Sequence, residues 1–388
     1  LILEMLMAGS VVSKYWGVYL NQFFELIGWN INTNIAIGSF NFDLAPVIIV
    51  SFFTALLVMG TKIGARVDGA LTILKIAIVV FIVVVGFFYI KAENFTPFIP
   101  PSEPAASTDG SGVSAVMEQP LWQWATGMAP SIYGVTGIIS GAALVFFAFL
   151  GFDVVATASE ETINPKKNVP LGIGVGLGLI IVLYTLVAIV TTGMVSYKDL
   201  AKQSDPSLAV AFKMVGADWA AKIISLGIVI GMATVVMVLL LGLTRVVFAM
   251  SRDGLLPRGL SYTGKHGTPV RLQIIVGVVM ALIAACCNVG ILSDMVNIGT
   301  LSAFTLVAIS IPIMRKKRPD LERSFKIPGN PWVPILIAIA NLWLMVNLSV
   351  LTWIRFVVCL IVGFAIYFGY GYRHARLGAG ELEVAAQE

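Results

Sequence analysis

The stretch that decides the fold reads AALVFFAFLGFDVVATASEE over residues 142–161. An apolar run of helical length is interrupted at its centre by Gly151, Phe152 and Asp153, and small and polar residues follow. In a bilayer, the backbone groups that such a break releases must be satisfied by protein, ligand or cavity water. Helices broken near the midplane are typical of binding sites in secondary transporters. The stretch therefore predicts a broken transmembrane helix.

The rest of the chain is just as apolar. Of its 388 residues, 58% are hydrophobic and 12% are charged, whereas soluble proteins average about 25% charged residues. Because one span needs about 20 apolar residues, the apolar total suffices for roughly ten spans. This composition excludes a soluble enzyme, a disordered chain and a nucleic-acid binder, and it predicts a multi-pass helical membrane protein.

Ten apolar segments can be marked, and together they predict an all-α membrane protein with a single transmembrane domain over residues 1–388. The segments are 1–27, 44–60, 68–90, 134–158, 168–192, 219–250, 270–288, 295–314, 332–349 and 352–372. The predicted hydrophilic parts are an extracellular loop at 91–133, a cytoplasmic loop at 315–331 and a cytoplasmic tail at 373–388. The chain begins inside an apolar run and without Met, which predicts a fragment whose beginning is missing.

The loop charges predict the orientation. With residue 1 placed in the cytoplasm, 16 Lys and Arg residues fall in cytoplasmic loops and 4 fall in external loops. The positive-inside rule favours this arrangement, in which both chain ends are cytoplasmic. We therefore expect a multi-pass protein of the plasma membrane.

Ionisable side chains inside the segments are the best candidates for function, since each costs several kcal/mol unless it is paired or used. Lys75 is the clearest, about seven residues, or roughly 10 Å, into the third segment. Burial disfavours the charged form of a lysine, so a lysine at this depth can exchange a proton near neutral pH. The alternative is that its long stem snorkels to the membrane surface.

Two carboxylates are further candidates. Glu4 lies in the first segment, and Asp153 closes the break in the fourth. Asp153 either binds the amine of a ligand or caps the broken helix in a structural role. Arg245 and Arg355 lie near segment ends, where snorkelling is expected.

The run GIGVGLG at 172–178 superficially resembles a nucleotide-binding loop, but no strand precedes it and no acidic partner follows. Helix packing through small residues is the preferred interpretation, as it is for Gly227 and Gly231. The sequence offers no nucleophile–base pair, metal cluster or phosphate loop in a plausible place. We therefore expect no enzyme activity, no catalytic residue, no cofactor and no metal site.

Four stretches of this sequence resemble amino acid permeases. FFAFLGFD at 146–153, with the following ETINP and VP motifs, looks like the sixth span and its loop. RVVFAMSRDGLLP at 245–257 looks like the end of the eighth span, VNIGTLSAF at 296–304 looks like the tenth, and RPDLERSFKIP at 318–328 looks like the loop after it. The resemblance covers essentially the whole chain. It is strongest to bacterial members of the cationic amino acid transporter family, within the amino acid–polyamine–organocation superfamily.

The resemblance implies a leucine-transporter-type fold with inverted repeats of five spans each. The ten segments here match spans three to twelve of that family, so the first two spans are absent. The broken first span, which offers backbone amides to the substrate carboxylate in this family, has no counterpart in the chain.

The resemblance also implies a role for individual residues. It assigns substrate binding to the backbone carbonyls of Phe147, Ala148, Phe149, Leu150 and Gly151, with Phe147 or Phe152 as an aromatic gate. Lys75 matches a fifth-span lysine that replaces a sodium ion in proton-coupled members, and Thr234 matches a hydroxyl position lining the same place. Met232, Ala233 and Met237 are expected to line the side-chain pocket. Glu4 matches an acidic position of the third span, facing the cytoplasmic end of the pathway.

These observations predict a transporter that moves amino acids by proton symport with alternating access. Its partners are then an amino acid, a proton and the lipid bilayer, with no nucleic acid; a small membrane helper subunit is left open. The apolar residues around the break slightly favour a neutral substrate. Two alternatives stay open: a proton-independent exchanger of amino acids or polyamines, and a non-transporting membrane sensor or partner subunit.

Overall fold

The computed structural model describes residues 2–29, 33–37, 40–60, 65–104, 116–128, 131–152, 162–203, 206–262, 269–320, 323 and 326–374. These residues are mostly helical. Because backbone groups in a bilayer must bond within their own segment, apolar stretches of this length fold as helices. The longer helices are Ile2–Leu26, Leu44–Val58, Ala65–Phe87, Gly134–Val145, Pro165–Met194, Asp218–Arg252, Val270–Cys286, Val289–Lys317, Trp332–Val346 and Val350–Ile366.

Each of the ten predicted apolar segments overlaps one of these helices, although the fourth, 134–158, leaves the α-helix after Val145 and its residues 153–158 lie outside the described part of the chain. Five described stretches are long and apolar enough to cross a membrane, namely Gly69–Phe87, Pro165–Met194, Asp218–Arg252, Val289–Lys317 and Val350–Gly371. Four shorter apolar stretches accompany them, Leu44–Val58, Gly134–Phe149, Val270–Cys286 and Trp332–Val346. The chain is therefore a multi-pass helical membrane protein, while the number of ten spans stays a prediction.

The predicted loops contain small elements that the sequence analysis did not anticipate. An antiparallel hairpin joins Asn34–Ile37 to Phe40–Asp43, and Asp43 then caps the next helix by accepting a hydrogen bond from the Ala45 N–H at 3.2 Å. Burial raises the pKa of the Asp43 carboxyl, and this hydrogen bond opposes the rise. The other small elements in these loops are Ala92–Phe95, Glu103–Pro104, Leu121–Thr126, Ser131–Ile132, Tyr197–Ala201, Leu208–Met214 and Arg258–Ser261.

The chain forms two compact units. The broken-helix unit comprises the described residues of Thr96–Tyr184 and Ser293–Val357. The lysine unit comprises the described residues of Ile2–Phe95, Thr185–Leu292 and Val358–Glu388. Each unit draws on separate parts of the sequence, so neither corresponds to one continuous stretch of chain.

The lysine unit is built around the long helix Asp218–Arg252. Ile2–Leu26 packs along it, and Ala65–Phe87 packs against it as well. Small side chains in the core let these helices approach closely, as is common in membrane proteins. The buried cluster consists of Tyr19, Ile82, Val190, Met194, Val195, Ala209, Ala211, Phe212, Ala217, Ala220, Ala221 and Ile224.

Gly227 marks a close contact between two helices of this unit. A methyl group built on Gly227 would overlap the side chain of Ile78 in the Ala65–Phe87 helix. Gly231, one turn further, lies under Lys75 of the same helix. The predicted packing role of these two glycines is confirmed.

Gly227→Leu is expected to lower the free energy of unfolding by about 1–3 kcal/mol, because overpacking of a tight contact typically costs this much. Gly176→Leu is the matched control, because a methyl group built on Gly176 meets no described atom within 4 Å. Thermal unfolding in detergent should show a midpoint lower by several degrees for the first variant alone. Equal midpoints for the two variants would contradict the contact.

No described residue provides a partner for the helix packing predicted for the glycine run at 172–178, so that packing stays a prediction. The run is helical, as part of Pro165–Met194. However, methyl groups built on Gly172, Gly174, Gly176 and Gly178 meet no described atom within 4 Å. Small residues permit a close helix approach, but they do not by themselves bring a partner.

The broken-helix unit has a smaller core. Its buried apolar residues are Ala143, Ile298, Leu301, Met345 and Leu348, and the Trp332–Val346 helix packs against Gly134–Val145. Backbone hydrogen bonds attach the chain around residues 119–121 to the junction before the Val350–Ile366 helix. The Leu121 N–H donates to the Leu348 carbonyl at 3.0 Å, and the Val350 N–H donates to the Gln119 carbonyl at 3.1 Å.

Candidate functional site

The broken-helix unit contains a break at the position that the sequence predicts. The Gly134–Val145 helix tightens into a 3₁₀ turn over Phe146–Phe149. Leu150 then adopts an extended conformation, and Gly151 has a φ of +117°. Residues with side chains rarely adopt such a φ, so the glycine permits the chain to leave the helix there.

Side chains from two other helices hold this break in place. The Tyr184 hydroxyl donates to the Ala148 carbonyl at 2.9 Å, and its ring lies edge-on to Phe149, with centroids 5.2 Å apart. The ring of Phe304 lies 5.1 Å from that of Phe152 and 6.0 Å from that of Phe146. The proposed gate residue Phe152 therefore packs in an aromatic cluster.

The carbonyl groups of the break are partly used. The Phe147 carbonyl accepts the Leu150 N–H at 3.1 Å, and the Ala148 carbonyl accepts the Tyr184 hydroxyl. A carbonyl oxygen has two lone pairs, so either group retains acceptor capacity for an ammonium ion. The assignment of this segment to substrate binding stays a prediction.

Sequence reasoning missed two polar residues that support the break. Tyr184 stands in an otherwise apolar helix, and Asn297 is fully buried in the Val289–Lys317 helix. The Asn297 amide donates to the Leu144 carbonyl at 3.3 Å, just before the break. A polar group in the middle of an apolar segment is the signal that could have found both.

Tyr184→Phe is expected to lower amino acid uptake several-fold. The change keeps the ring against Phe149 but removes one hydrogen bond, which is worth about 0.5–1.5 kcal/mol. Initial rates in proteoliposomes would measure this effect. Tyr370→Phe serves as the control, because Tyr370 belongs to the far end of the chain and to the other unit. Unchanged uptake in Tyr184→Phe would show that the break does not need this support.

The two predicted coupling residues, Lys75 and Thr234, both lie next to Gly231 in the lysine unit. The Lys75 stem crosses Gly231, with its Cγ, Cε and Cδ atoms 3.4, 3.7 and 3.9 Å from a methyl group built there. Thr234 is buried, and its hydroxyl donates to the Gly231 carbonyl at 2.8 Å. Lys75 itself is half-buried. A glycine thus makes room for the lysine stem beside a buried hydroxyl.

The three predicted pocket residues lie on the same helix as Thr234. Met237 is buried, and Ala233 is half-buried. Met232 is also half-buried and packs against the core cluster of the lysine unit. Their proposed role in lining a side-chain pocket stays a prediction.

Glu4 is buried, with 2% of its surface exposed, but it is far from Lys75. Gly9, on the same helix as Glu4, shows where that helix crosses Asp218–Arg252: a methyl group built on Gly9 lies 3.8 Å from Leu239 Cβ. Leu239 follows Gly231 by eight residues, which is about 12 Å along the helix. Glu4 precedes Gly9 by five residues on a helix that runs antiparallel, so it lies roughly 20 Å from the level of Lys75. The structure does not bring these two charges together.

Asp153, the remaining candidate, lies outside the described residues. Its two interpretations, ligand binding and capping, therefore rest on its position directly after the break. The other predicted residues divide between the units, with residues 147–152 in the broken-helix unit and Lys75, Thr234 and the pocket residues in the lysine unit.

A multi-pass helical protein with a broken helix and a half-buried lysine has features that are typical of membrane transporters. Comparison with known proteins gives the family. The sequence profile of the family described as amino acid permease matches residues 5–370. The chain therefore belongs to the amino acid permease family.

Individual relatives are similar over most of the chain. The branched-chain amino acid permease BcaP of Bacillus subtilis (strain 168) is 38% identical over 387 residues, which cover 97% of this chain and 76% of the relative. The methylthioribose transporter of the same organism has the same identity and coverage. A mitochondrial cationic amino acid transporter 3 of Arabidopsis thaliana is 35% identical over 281 residues, 72% of this chain and 42% of the relative. Membership of this family supports amino acid transport.

Proposed function

We propose that this protein is a secondary active transporter that carries amino acids across the plasma membrane together with protons, by alternating access. The observation that carries the proton part is the placement of Lys75 on Gly231, beside the buried Thr234 hydroxyl. A lysine in an apolar helix is costly unless it is paired or has a function, and proton exchange is a function that the chemistry of lysine supports. Lys75 then gains and loses the coupled proton.

The substrate that we propose is a neutral amino acid. The segment from Phe147 to Phe152 offers carbonyl groups for an ammonium ion and is otherwise apolar, which suits an uncharged side chain. The name of one relative, branched-chain amino acid permease, agrees with this proposal. A second relative with the same identity is named for methylthioribose, so the proposal rests mainly on the apolar break.

Uptake by the purified protein in proteoliposomes tests both parts. We would measure labelled alanine with and without an inward proton gradient, and use leucine and arginine as competitors. The expected result is uptake that the gradient stimulates and that leucine inhibits more strongly than arginine does.

Three results would contradict the proposal. Uptake that ignores the gradient would favour a proton-independent exchanger. Stronger inhibition by arginine would overturn the neutral substrate. Binding of these amino acids without any uptake would favour a membrane sensor or partner subunit.

A further inference from the structure

The broken-helix unit contains a cavity of about 560 Å³ that the proposed function does not use. Its lining residues precede the break in the Gly134–Val145 helix or belong to other segments. These segments are the predicted external loop, the beginning of the Val289–Lys317 helix and the chain after the Trp332–Val346 helix. Its polar lining includes Glu118, Ser140, Asp294, Asn347 and Ser349. None of the described residues that line it is Lys, Arg or His, so its charged groups are carboxylates.

Asp294 supplies charge within this lining. One of its carboxylate oxygens, Oδ2, accepts the Thr352 hydroxyl at 3.0 Å. Arg355 on the same helix as Thr352 interacts favourably with this carboxylate, but Arg355 does not line the cavity. A carboxylate can accept several hydrogen bonds, so Asp294 retains acceptor capacity toward the cavity.

Asn347 provides an independent sign of a ligand. It is 4% exposed, and its amide nitrogen donates to the Trp343 carbonyl at 2.7 Å. Its amide oxygen, Oδ1, has no hydrogen-bond partner among the described residues. A buried acceptor without a donor is unfavourable, and most such groups in proteins are satisfied by protein, water or ligand.

We propose that this cavity binds the ammonium group of a small organic amine. The Asp294 carboxylate accepts its N–H groups, and the Asn347 side chain turns its buried, unpartnered oxygen toward them. Apolar residues that also line the cavity, among them Ile138, Leu144 and Leu348, contact its short carbon chain. None of residues 147–152, which are proposed to bind the transported substrate, lines this cavity.

Ligand-dependent thermal unfolding of the purified protein tests this proposal without any transport measurement. A ligand that binds only the folded state raises the midpoint with concentration. We expect n-butylammonium chloride to raise it by about 2 °C or more at saturation. Equal concentrations of 1-butanol and of sodium chloride should have no such effect. A rise that either control reproduces would overturn the proposal.

Two variants locate the effect. Asp294→Asn removes the charge, and Gly141→Leu fills space, because Gly141 lines the cavity and a methyl group built on it meets no described atom within 4 Å. Gly176→Leu is the matched control, a helical glycine with equally open surroundings that does not line the cavity. We expect the n-butylammonium response to vanish in the first two variants and to persist in the control. If Asp294→Asn fails to fold, Gly141→Leu decides alone, and a full response in Gly141→Leu would overturn the site.

The ammonium group has two natural sources, a free amine and the headgroup of phosphatidylethanolamine. Repeating the measurement in phosphatidylcholine nanodiscs with and without phosphatidylethanolamine separates them. If the phosphatidylethanolamine headgroup occupies the cavity, nanodiscs that contain this lipid should abolish the rise in unfolding midpoint that n-butylammonium causes in the wild-type protein. A response that is the same in both lipids assigns the cavity to a free amine, and no response in either lipid would overturn the proposal.

Discussion

Replacing Lys75 with methionine is expected to abolish the stimulation of amino acid uptake by an inward proton gradient. Methionine keeps an unbranched apolar stem that can lie against Gly231, but it removes the group that binds the proton. If Lys75 carries the coupled proton, the stimulation by the gradient must be lost completely and not only reduced. The measurement is the ratio of initial uptake rates with and without the gradient, which should fall to about one.

Lys222→Met is the matched control for this prediction. Lys222 is exposed and lies in the first turns of the Asp218–Arg252 helix, so its charge can be removed without touching the contact at Gly231. The control should keep the gradient response of the wild type. A Lys75→Met protein that also keeps this response would rule out Lys75 as the proton carrier.

Substitutions of Gly231, which lies against Lys75 on the Asp218–Arg252 helix, should distinguish the effect of the position of Lys75 from the effect of its charge. Gly231→Ala adds a methyl group in ordinary van der Waals contact with the Lys75 stem, and the gradient response should survive. Gly231→Leu pushes the stem away and should reduce the response although Lys75 is intact.

Gly151→Val is expected to reduce uptake by more than tenfold. The φ of Gly151 is +117°, a conformation that a β-branched residue adopts only under strain of about 1–3 kcal/mol. To relieve that strain, residues 150–152 must change their path, and with them the carbonyl groups proposed to bind the substrate. Initial rates with labelled alanine measure the loss, and circular dichroism should show that the helical content is unchanged.

Gly178→Val is the control for the break. It makes the same chemical change at a helical glycine without a described neighbour within 4 Å of the added methyl group. Its effect on uptake should be small. If Gly151→Val transports as well as this control, the strained glycine is not required for the transport cycle.

The sequence alone predicted the positions of the helices and the break well. Both depend on local properties: the apolar runs must form helices in a bilayer, and the Gly-Phe-Asp interruption cannot continue one. The close helix contact at Gly227 and Gly231 also followed from spacing, since small residues four apart favour such a contact. Spacing did not predict that Lys75 is the residue opposite Gly231.

Other features depend on contacts between distant parts of the chain, which spacing does not encode. The hydrogen bond from Tyr184 to Ala148 joins residues 36 positions apart. The orphan oxygen of Asn347 is recognisable only once the surrounding backbone is in place. The glycine run at 172–178 shows the converse, because a pattern suited to packing has no described partner.

The fit of Ile78 against Gly227 has a mechanical consequence for Lys75, one turn before it on the same helix. This steric fit sets the axial register of the helix that carries Lys75, and it involves no charged group. Any sliding of the Ala65–Phe87 helix along its axis must therefore move Ile78 off Gly227, and it moves Lys75 by the same distance because both residues belong to one helix.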